Sequence, residues 1–234
     1  LWAEGRTLDG GVLWVPLGLV QLDLRRPAAL DSGHFVAGTD GLGAGDTLEE
    51  AIVHGVCEVV ERDALTSFYA SAEPERQRRR FDLDSVDEPV CRELLARYAG
   101  ANVETAVWDL TSDLRIPCFL CCVRDDPAAS TRPVELVTGT GCHPSRAVAL
   151  ARALCEAAQC RITRVVRVRD EADALSSELE RPGALELDRL AFEPAAPHST
   201  RYLDVPTFDS ASFEDDFAWL RQRYAFRIRG TPRC

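Results

Sequence analysis

The 234-residue chain contains no lysine and no methionine, and its only asparagine is Asn102. Its 27 basic residues are therefore all arginines. The absence of lysine excludes a P-loop, which needs a lysine on the phosphates, and a protein-kinase site, which needs its strand lysine. It also excludes a pyridoxal phosphate site, which needs a Schiff-base lysine. Any nucleotide that this chain binds must be held by other groups.

The sequence also has no apolar stretch approaching the roughly 20 residues that cross a bilayer, and no basic segment followed by an apolar one opens the chain. We therefore expect no membrane contact and a cytoplasmic location. With 38 acidic residues the net charge is -11, which argues against an electrostatic grip on nucleic acid. The basic segment at 75–81 is predicted to be a solvated loop. The missing initiator methionine leads us to expect a fragment.

Nine cysteines, an odd number, are spread along the chain. Cys118, Cys121 and Cys122 form a CxxCC pattern inside the apolar run IPCFLCCV. This pattern is typical of a buried strand in which cysteine acts as a small hydrophobe. A zinc site would need a second Cys or His pair at ligand spacing, and none is convincing. Reduced structural thiols are therefore favoured over metal–thiolate chemistry.

Hydrophobic periodicity predicts a mixed α/β (α+β) fold in which a β-sheet packs against long buried helices. The first 24 residues are predicted to form a β-hairpin with Asp9 and Gly10 in its turn. The predicted helices are 47–69, 85–99, 145–167 and 213–224, and the predicted strands are 103–110, 116–123, 134–140 and 224–228. We expect one partial domain over 1–234, made of a core at 38–167, an N-terminal hairpin region at 1–37 and an incomplete C-terminal part at 168–234.

The segment from Gly38 to Asp63, GTDGLGAGDTLEEAIVHGVCEVVERD, carries the strongest local signal. A glycine-rich turn leads into a helix that should begin near Thr47. Thr47 and Glu50 have the spacing of a capping box, in which the threonine oxygen accepts the N–H three residues on and the glutamate reaches back. Backbone N–H groups of a glycine loop at a helix N-terminus suit a phosphate.

Acidic residues and one histidine form a single edge of this helix. At about 100° per residue from Glu50, His54 lies at about 40°, Glu58 at about 80° and Glu61 at about 20°. The other directions are apolar, so we expect the helix to be buried on most of its circumference. Buried carboxylates repel unless a cation lies among them, and glutamate oxygens suit Mg²⁺. Nucleotide phosphates bridged by magnesium and an ordinary solvated acidic face remain about equally favoured.

The predicted helix at 145–167 has a second polar edge. Arg152, Glu156 and Gln159 fall within about 60° of one another among alanines and leucines. This edge either holds a ligand or contains only an internal Arg152–Glu156 ion pair, worth about 0.3–0.5 kcal/mol. The residues alone do not separate the two interpretations.

Three stretches of the sequence together resemble the YcaO family, ATP-dependent enzymes that activate backbone amides in peptides. GLGAGDTLEEAIVHGVCEVVERDA is similar to the family signature NGLAxGNTxEEAxxHxxxExxERDA. WDLTSDLRIPCF is similar to the family's DLTSDxGIPxF strand pair, and GTGCHPSRAVALARALCEAAQCRIT is similar to its GxGxHxxxxxAxxRALxEaxQxR helix. The three stretches cover most of 38–165 in the family's order and spacing.

The resemblance implies an ATP-binding fold without a P-loop, in which carboxylates hold Mg²⁺ under ATP. The magnesium ligands that it implies are Glu58, Glu61 and Glu156. The nucleotide-site residues that it implies are Asp46, Glu50, His54, Arg62 and Gln159. His54 remains open between a ligand and a satisfied core imidazole, and no catalytic residue is assigned.

The family chemistry implied is addition of a nucleophile to a peptide amide, phosphorylation of the former amide oxygen and loss of phosphate. A neighbouring Cys, Ser or Thr side chain then yields an azoline, and a sulfide donor yields a thioamide. The partners implied are a precursor peptide and a TfuA-like or ThiF-like protein, and a homodimer is compatible with the family. Two alternatives are an inactive scaffold that binds a peptide or partner protein, and a carboxylate-bridged metal hydrolase.

Two features differ from the family pattern. Asp40 and Asp46 stand where the signature has asparagine, which adds negative charge beside the expected phosphate site. The acidic motif SxxEAxER and the proline-rich tail of azoline-forming members are absent from this sequence. We therefore expect a chain that is truncated at both ends.

Overall fold

The computed structural model describes residues 1–7, 10–20, 38–129, 134–169, 184–192 and 200–228. The strands are β1 (Trp2–Arg6), β2 (Val12–Pro16), β3 (Val103–Asp109), β4 (Cys118–Asp125) and β5 (Val137–Cys142). The helices are α1 (Leu17–Val20), α2 (Leu48–Ala70), α3 (Glu73–Arg78), α4 (Pro89–Gly100), α5 (Arg146–Arg169), α6 (Ala184–Phe192) and α7 (Phe213–Ile228). This mixture of antiparallel sheets and long helices confirms the predicted fold class.

The chain divides into two compact units, residues 1–59 with 210–234 and residues 60–209. The boundary between the two units falls inside α2, after Val59. The expectation of a single partial domain with its core at 38–167 stays a prediction. Within the described ranges, no helix combines the length and apolar character that a bilayer crossing requires.

The N-terminal hairpin of the first unit is shorter than predicted. β1 pairs antiparallel with β2 from Trp2 opposite Pro16 to Arg6 opposite Val12. Gly10 has a φ of 90° in the connecting turn, a left-handed conformation that glycine adopts without strain. The strand ends at Pro16 because the next four residues form α1, and the remainder of the predicted hairpin region, 21–37, lies outside the described residues.

A three-stranded antiparallel sheet in the order β3-β4-β5 forms the centre of the second unit. Alternate side chains point to opposite faces of a strand, so one face receives Phe119 and Cys121, which pack with α5. The other face carries Trp108, whose ring lies 5.9 Å from that of Phe68 on α2. Covered on both faces, β4 has the continuous apolar sequence of a buried strand.

The three cysteines of the CxxCC pattern are all buried in β4, as predicted. Burial raises the pKa of the Cys121 and Cys122 thiols well above the ordinary value. No set of three metal-ligating side chains in the described part of the chain could by itself hold a metal ion. Their complete burial agrees with the prediction that these cysteines act as small hydrophobic side chains in the strand.

β5 lies unusually close to α5. A Cβ atom on Gly139 would come within 2.1 Å of the Ala157 nitrogen and 2.5 Å of the Ala153 oxygen. Only glycine leaves room for this approach, because real Cβ atoms do not pack that tightly. The close contact places the polar edge of α5 directly beside the end of β5.

The prediction for the basic segment 75–81 is wrong. The segment is not a solvated loop, because α3 runs through Arg78 and the buried Arg76 pairs with Glu186 of α6 at 2.5 Å. The helix predicted at 85–99 is confirmed, but it begins at Pro89, since proline is tolerated only in the first turn of a helix.

The predicted strand at 224–228 is also wrong. These residues continue α7, which runs unbroken from Phe213 to Ile228. Extending an existing helix adds one hydrogen bond for each residue that is ordered, whereas a new strand needs a partner strand. The predicted helix over 213–224 is confirmed and is longer than expected.

Candidate functional site

The helix α2 begins where the sequence predicts, and Thr47 caps it. The Glu50 N–H donates to the Thr47 hydroxyl oxygen at 3.2 Å. The reciprocal half of the predicted capping box is different, because the Glu50 carboxylate accepts the N–H of Asp46 at 2.7 Å. Glu50 thereby holds the last residue of the glycine-rich loop instead of the capping residue.

The backbone of the glycine-rich loop packs closely against the first turns of α2. A Cβ atom on Gly43 would come within 1.9 Å of the Ala51 oxygen and 2.7 Å of the Gly55 nitrogen. The absence of a side chain at Gly43 is therefore a condition for this close packing. The loop and the start of the helix form one local structure within the first unit.

His54 is exposed and lies beside this loop. Its Nδ1 atom is 3.5 Å from the Ala44 nitrogen and 3.3 Å from the Ala44 oxygen. The protonation of the ring decides which of the two contacts is a hydrogen bond. The structure thus brings together the sequence-predicted residues Asp46, Glu50 and His54 around one loop.

In the second unit, a threonine hydroxyl joins two predicted carboxylates. The Thr140 hydroxyl lies 2.7 Å from Glu61 Oε1 and 3.1 Å from Glu156 Oε2. The Thr140 N–H also donates to Glu156 Oε2, at 2.8 Å. Glu61 is only 9% exposed, and Glu156 is half-buried. We call Glu61, Thr140 and Glu156 the carboxylate centre.

The donor set of the carboxylate centre fits a hard divalent cation. A threonine hydroxyl has one proton, so it can neutralise neither carboxylate and can donate fully to only one of them at a time. Two poorly solvated carboxylates at this spacing repel each other, and an oxygen-seeking cation removes that repulsion. Mg²⁺ is typically held by one or two protein carboxylates together with phosphate oxygens and waters.

Three further predicted residues, Arg62, Glu58 and Gln159, lie on the same two helices as Glu61 and Glu156. Arg62 Nη2 is 3.7 Å from Glu61 Oε1. At this distance the positive charge of the guanidinium partly offsets the negative charge of the carboxylate. Glu58 precedes Glu61 by about one turn of α2 and is half-buried. Gln159, about one turn after Glu156, is exposed on α5.

The internal ion pair considered for α5 is not formed. Arg152 Nη1 lies 3.5 Å from the Cys142 carbonyl oxygen, and Glu156 accepts from Thr140. The ion pairs between described residues do not include an Arg152–Glu156 pair. The polar edge of α5 therefore needs an explanation other than pairing within the helix.

Sequence reasoning missed Thr140 and His143. Thr140 lies in β5 and His143 directly follows that strand. A threonine in a strand that also contains Thr138 has no distinguishing pattern in the sequence. The Ser145 N–H donates to His143 Nδ1 at 3.0 Å, which leaves Nε2 to carry the proton of the neutral ring. Burial, together with the charge of Arg152, lowers the pKa of His143 to about 4.

The lowered pKa of His143 predicts a loss of stability in mild acid. From its ordinary value of 6.5 down to about 4 the unfolded chain binds a proton that the folded chain does not, so the free energy of unfolding falls with pH across that window. His143→Asn keeps an acceptor for the Ser145 N–H and removes this proton. The drop in unfolding free energy from about pH 7 to about pH 5 should be smaller by about 2 kcal/mol in the variant.

Urea denaturation at both pH values measures this difference. Gly100→Ala, which changes no titratable group and meets no atom within 4 Å, is the control and should leave the drop unchanged. An identical pH dependence in the His143 variant and the unaltered chain would contradict the prediction.

The structure is thus that of a mixed α/β protein, with a glycine-rich loop packed on the capped start of α2 in the first unit and two carboxylates joined by the Thr140 hydroxyl in the second. The family model "YcaO cyclodehydratase, ATP- and Mg2+-binding" matches residues 1–227. The chain belongs to the YcaO family.

Three known proteins illustrate the likeness. A Rhizobium leguminosarum bv. trifolii protein, described as lying in the tfuA 3′ region, is 33% identical over 192 residues, which are 79% of this chain and 44% of that protein. A heterocyclase solved with substrate and cofactor has a TM-score of 0.74 and 25% identity over 97% of this chain and 29% of its own. YcaO from Methanopyrus kandleri, bound with AMPPCP and Mg²⁺, has a TM-score of 0.66 and 23% identity over 96% of this chain and 56% of its own.

The chain spans less than half the length of the curated relatives that it matches, 44% of one and 46% of another. The Methanopyrus structure supports the likeness of fold alone. The sequence-based family assignment is confirmed, and the assignment of individual site residues stays a prediction.

Proposed function

We propose that this chain carries the ATP- and Mg²⁺-binding part of an enzyme that activates peptide backbone amides. The observation that carries the proposal is the carboxylate centre, in which side chains from α2 and α5 share the Thr140 hydroxyl. Both helices lie in stretches that resemble the family signatures, and the matching family model is described as ATP- and Mg²⁺-binding.

In this proposal Glu61 and Glu156 hold magnesium. Glu58 is a third ligand only by the resemblance, because the described residues contain no group of three side chains that could by itself hold a metal ion. The Thr140 hydroxyl and N–H orient Glu156, and the hydroxyl also fixes one oxygen of Glu61. Ligands that are already oriented bind a metal without a further ordering cost. The low exposure of Glu61 strengthens its attraction for a cation because little water screens it.

The residues proposed for the nucleotide site are Asp46, Glu50, Arg62 and Gln159, and His54 belongs to the same site without an assigned contact to the nucleotide. Glu50 keeps the loop end ordered through the Asp46 N–H. Arg62 is placed 3.7 Å from Glu61, and its charge suits phosphate oxygens as well as carboxylates. No lysine is required for this mode of binding.

The chemistry that bound ATP supplies is transfer of its γ-phosphoryl group to the amide oxygen, which makes a very poor leaving group a good one. The contribution of the chain is to hold the phosphates and to exclude water from the carboxylates. We propose a ribosomally made precursor peptide as substrate. Azoline and thioamide products remain alternatives. The proposed partner is a TfuA-like or ThiF-like protein, and the description of one relative as lying in the tfuA 3′ region supports the TfuA-like choice.

Titration calorimetry with MgATP tests the proposal. Glu58→Gln and Glu61→Gln should each weaken MgATP binding by about 10- to 100-fold, because each removes a proposed ligand charge. Glu49→Gln is the matched control, since Glu49 lies about 100° from Glu50 and so away from the acidic edge of α2. It should change the affinity by less than about twofold.

Equal effects from all three variants would remove the argument from the acidic edge. An unaltered chain that gives no heat with MgATP but binds a precursor peptide would favour the inactive scaffold. Mass spectrometry of a co-expressed peptide then identifies the product, since an azoline forms with loss of water and a thioamide with replacement of oxygen by sulfur.

A further inference from the structure

The glycine-rich loop runs antiparallel along the first turns of α2, with a glycine facing the helix at every second position. Gly45 lies against Glu50, Gly43 against Ala51 and Gly41 against Gly55. In an extended segment the residues between them point away from the helix, and Leu42 is accordingly 51% exposed. The glycines have no side chains that could pack against the helix. The position of the loop therefore depends on contacts that its backbone makes with side chains of α2.

Two side chains of α2 make such contacts. Glu50 accepts the N–H of Asp46 at 2.7 Å. His54, about one turn further along the same edge, places Nδ1 within 3.5 Å of both the nitrogen and the oxygen of Ala44. The two side chains therefore contact alternate residues of the loop backbone.

The two possible states of the His54 ring give different hydrogen bonds. A ring that carries its proton on Nε2 accepts from the Ala44 N–H through Nδ1. A ring that is protonated on Nδ1 donates to the Ala44 oxygen at 3.3 Å. In both states the contact is made by Nδ1 and joins the helix to the loop.

We propose that His54 is a positioning residue that holds the glycine-rich loop through Nδ1, and that it does not itself contact the nucleotide. The nucleotide part of this inference rests on the proposed function, whereas the hold on the loop does not. The sequence leaves His54 open between a ligand and a satisfied core imidazole. Its exposure excludes the core role, and the proposal gives it a third role in place of the ligand.

Two substitutions separate these roles. Asparagine places a polar atom near the position of Nδ1, and glutamine places one near the position of Nε2. If Nδ1 holds the loop, His54→Asn should retain the hold and His54→Gln should lose it. If Nε2 contacts a phosphate, glutamine should instead be the better replacement.

Hydrogen exchange of the backbone amides of residues 41–46, measured on the chain without nucleotide, reads the hold directly. His54→Ala and His54→Gln should speed exchange of this loop by about fivefold, equivalent to the net 1 kcal/mol of one hydrogen bond. His54→Asn should stay within about twofold of the unaltered chain. Asp63→Asn, at an exposed position further along α2, is the control and should change nothing in the loop.

His54 is exposed, so the asparagine and glutamine variants are expected to fold, and circular dichroism checks this. Equal loop exchange in all variants, or protection by glutamine and not by asparagine, would overturn the proposal. Among the variants, faster hydrogen exchange of the loop should go with weaker MgATP binding. Altered exchange without any MgATP binding would contradict the proposed function and leave the hold on the loop intact.

Discussion

Replacing Gly139 by alanine should destabilise the second unit by about 3 kcal/mol or more, at the upper end of the cost of overpacking a core. The new Cβ would lie 2.1 Å from the Ala157 nitrogen and 2.5 Å from the Ala153 oxygen, which are backbone atoms of α5. A backbone cannot rotate away as a flexible side chain can, so β5 and α5 would have to separate. Urea denaturation measures the loss of unfolding free energy.

Gly100→Ala is the matched control for this prediction. A Cβ atom at Gly100 meets nothing within 4 Å, and the position is the last residue of α4. This variant should be neutral or more stable by up to about 1 kcal/mol, because alanine has the higher helix propensity. Similar unfolding free energies for the two variants would show that the close approach of β5 to α5 is not required.

Glu61→Gln and Glu156→Gln should each weaken MgATP binding by about 10- to 100-fold. The double variant should have nearly the same affinity as the single variant that binds MgATP less tightly. The reason is that both carboxylates contact the same hydroxyl, that of Thr140. If they hold the same ion, removing either one already disrupts the site. Calorimetry on the two single variants and the double variant completes the cycle.

Independent carboxylates would instead give losses that multiply, up to about 10,000-fold in the double variant. That result would contradict a shared ion. Glu49→Gln combined with Glu61→Gln is the matched control pair, and its losses should multiply because Glu49 lies away from the acidic edge. Unfolding free energies of all variants confirm that the affinities refer to folded protein.

The long helices α2 and α5 and the buried strand β4 could be predicted because their signals are local. Thr47 supplies a cap that its own sequence position identifies, and CFLCCV is apolar enough to be buried on both faces. The helix α3 could not be predicted in the same way. Its sequence EPERQR has no apolar side chain apart from that of Pro74, and its buried Arg76 depends on Glu186, which is 110 residues away in sequence.

The prediction that α2 is buried on most of its circumference is wrong in this structure, since Leu48 is 71% and Val59 is 52% exposed. The buried side chains Val53, Cys57, Val60, Ala64 and Phe68 span only about 80°. Glu61 lies about 20° beyond this buried stripe, and His54 and Glu58 follow it further round. The acidic edge of α2 thus has a buried member, Glu61, and an exposed member, His54. The residue types alone do not show which of them is buried.

The meeting of Glu61 with Glu156 was expected only from the resemblance. The residues themselves showed two polar edges on two helices, without any indication of how the sheet would align them. Thr140 provides that alignment from β5, because its side chain points to the face of the sheet that α2 covers. Such alignment depends on strand register, and register is a property of three strands at once.

The distribution of thiols makes the native chain suitable for selective labelling. Six of the eight described cysteines are buried, whereas Cys155 is exposed and Cys160 is partly exposed. Maleimide reagents attack accessible thiolates, so among the described cysteines a fluorophore would be attached mainly at these two positions. Cys155 lies near Tyr98 of α4, and residues adjacent in a helix point about 100° apart, so a dye there would mark the face of α5 next to the one that carries Glu156. Its emission would then respond to changes in the packing of α5 against α4 without any engineered substitution.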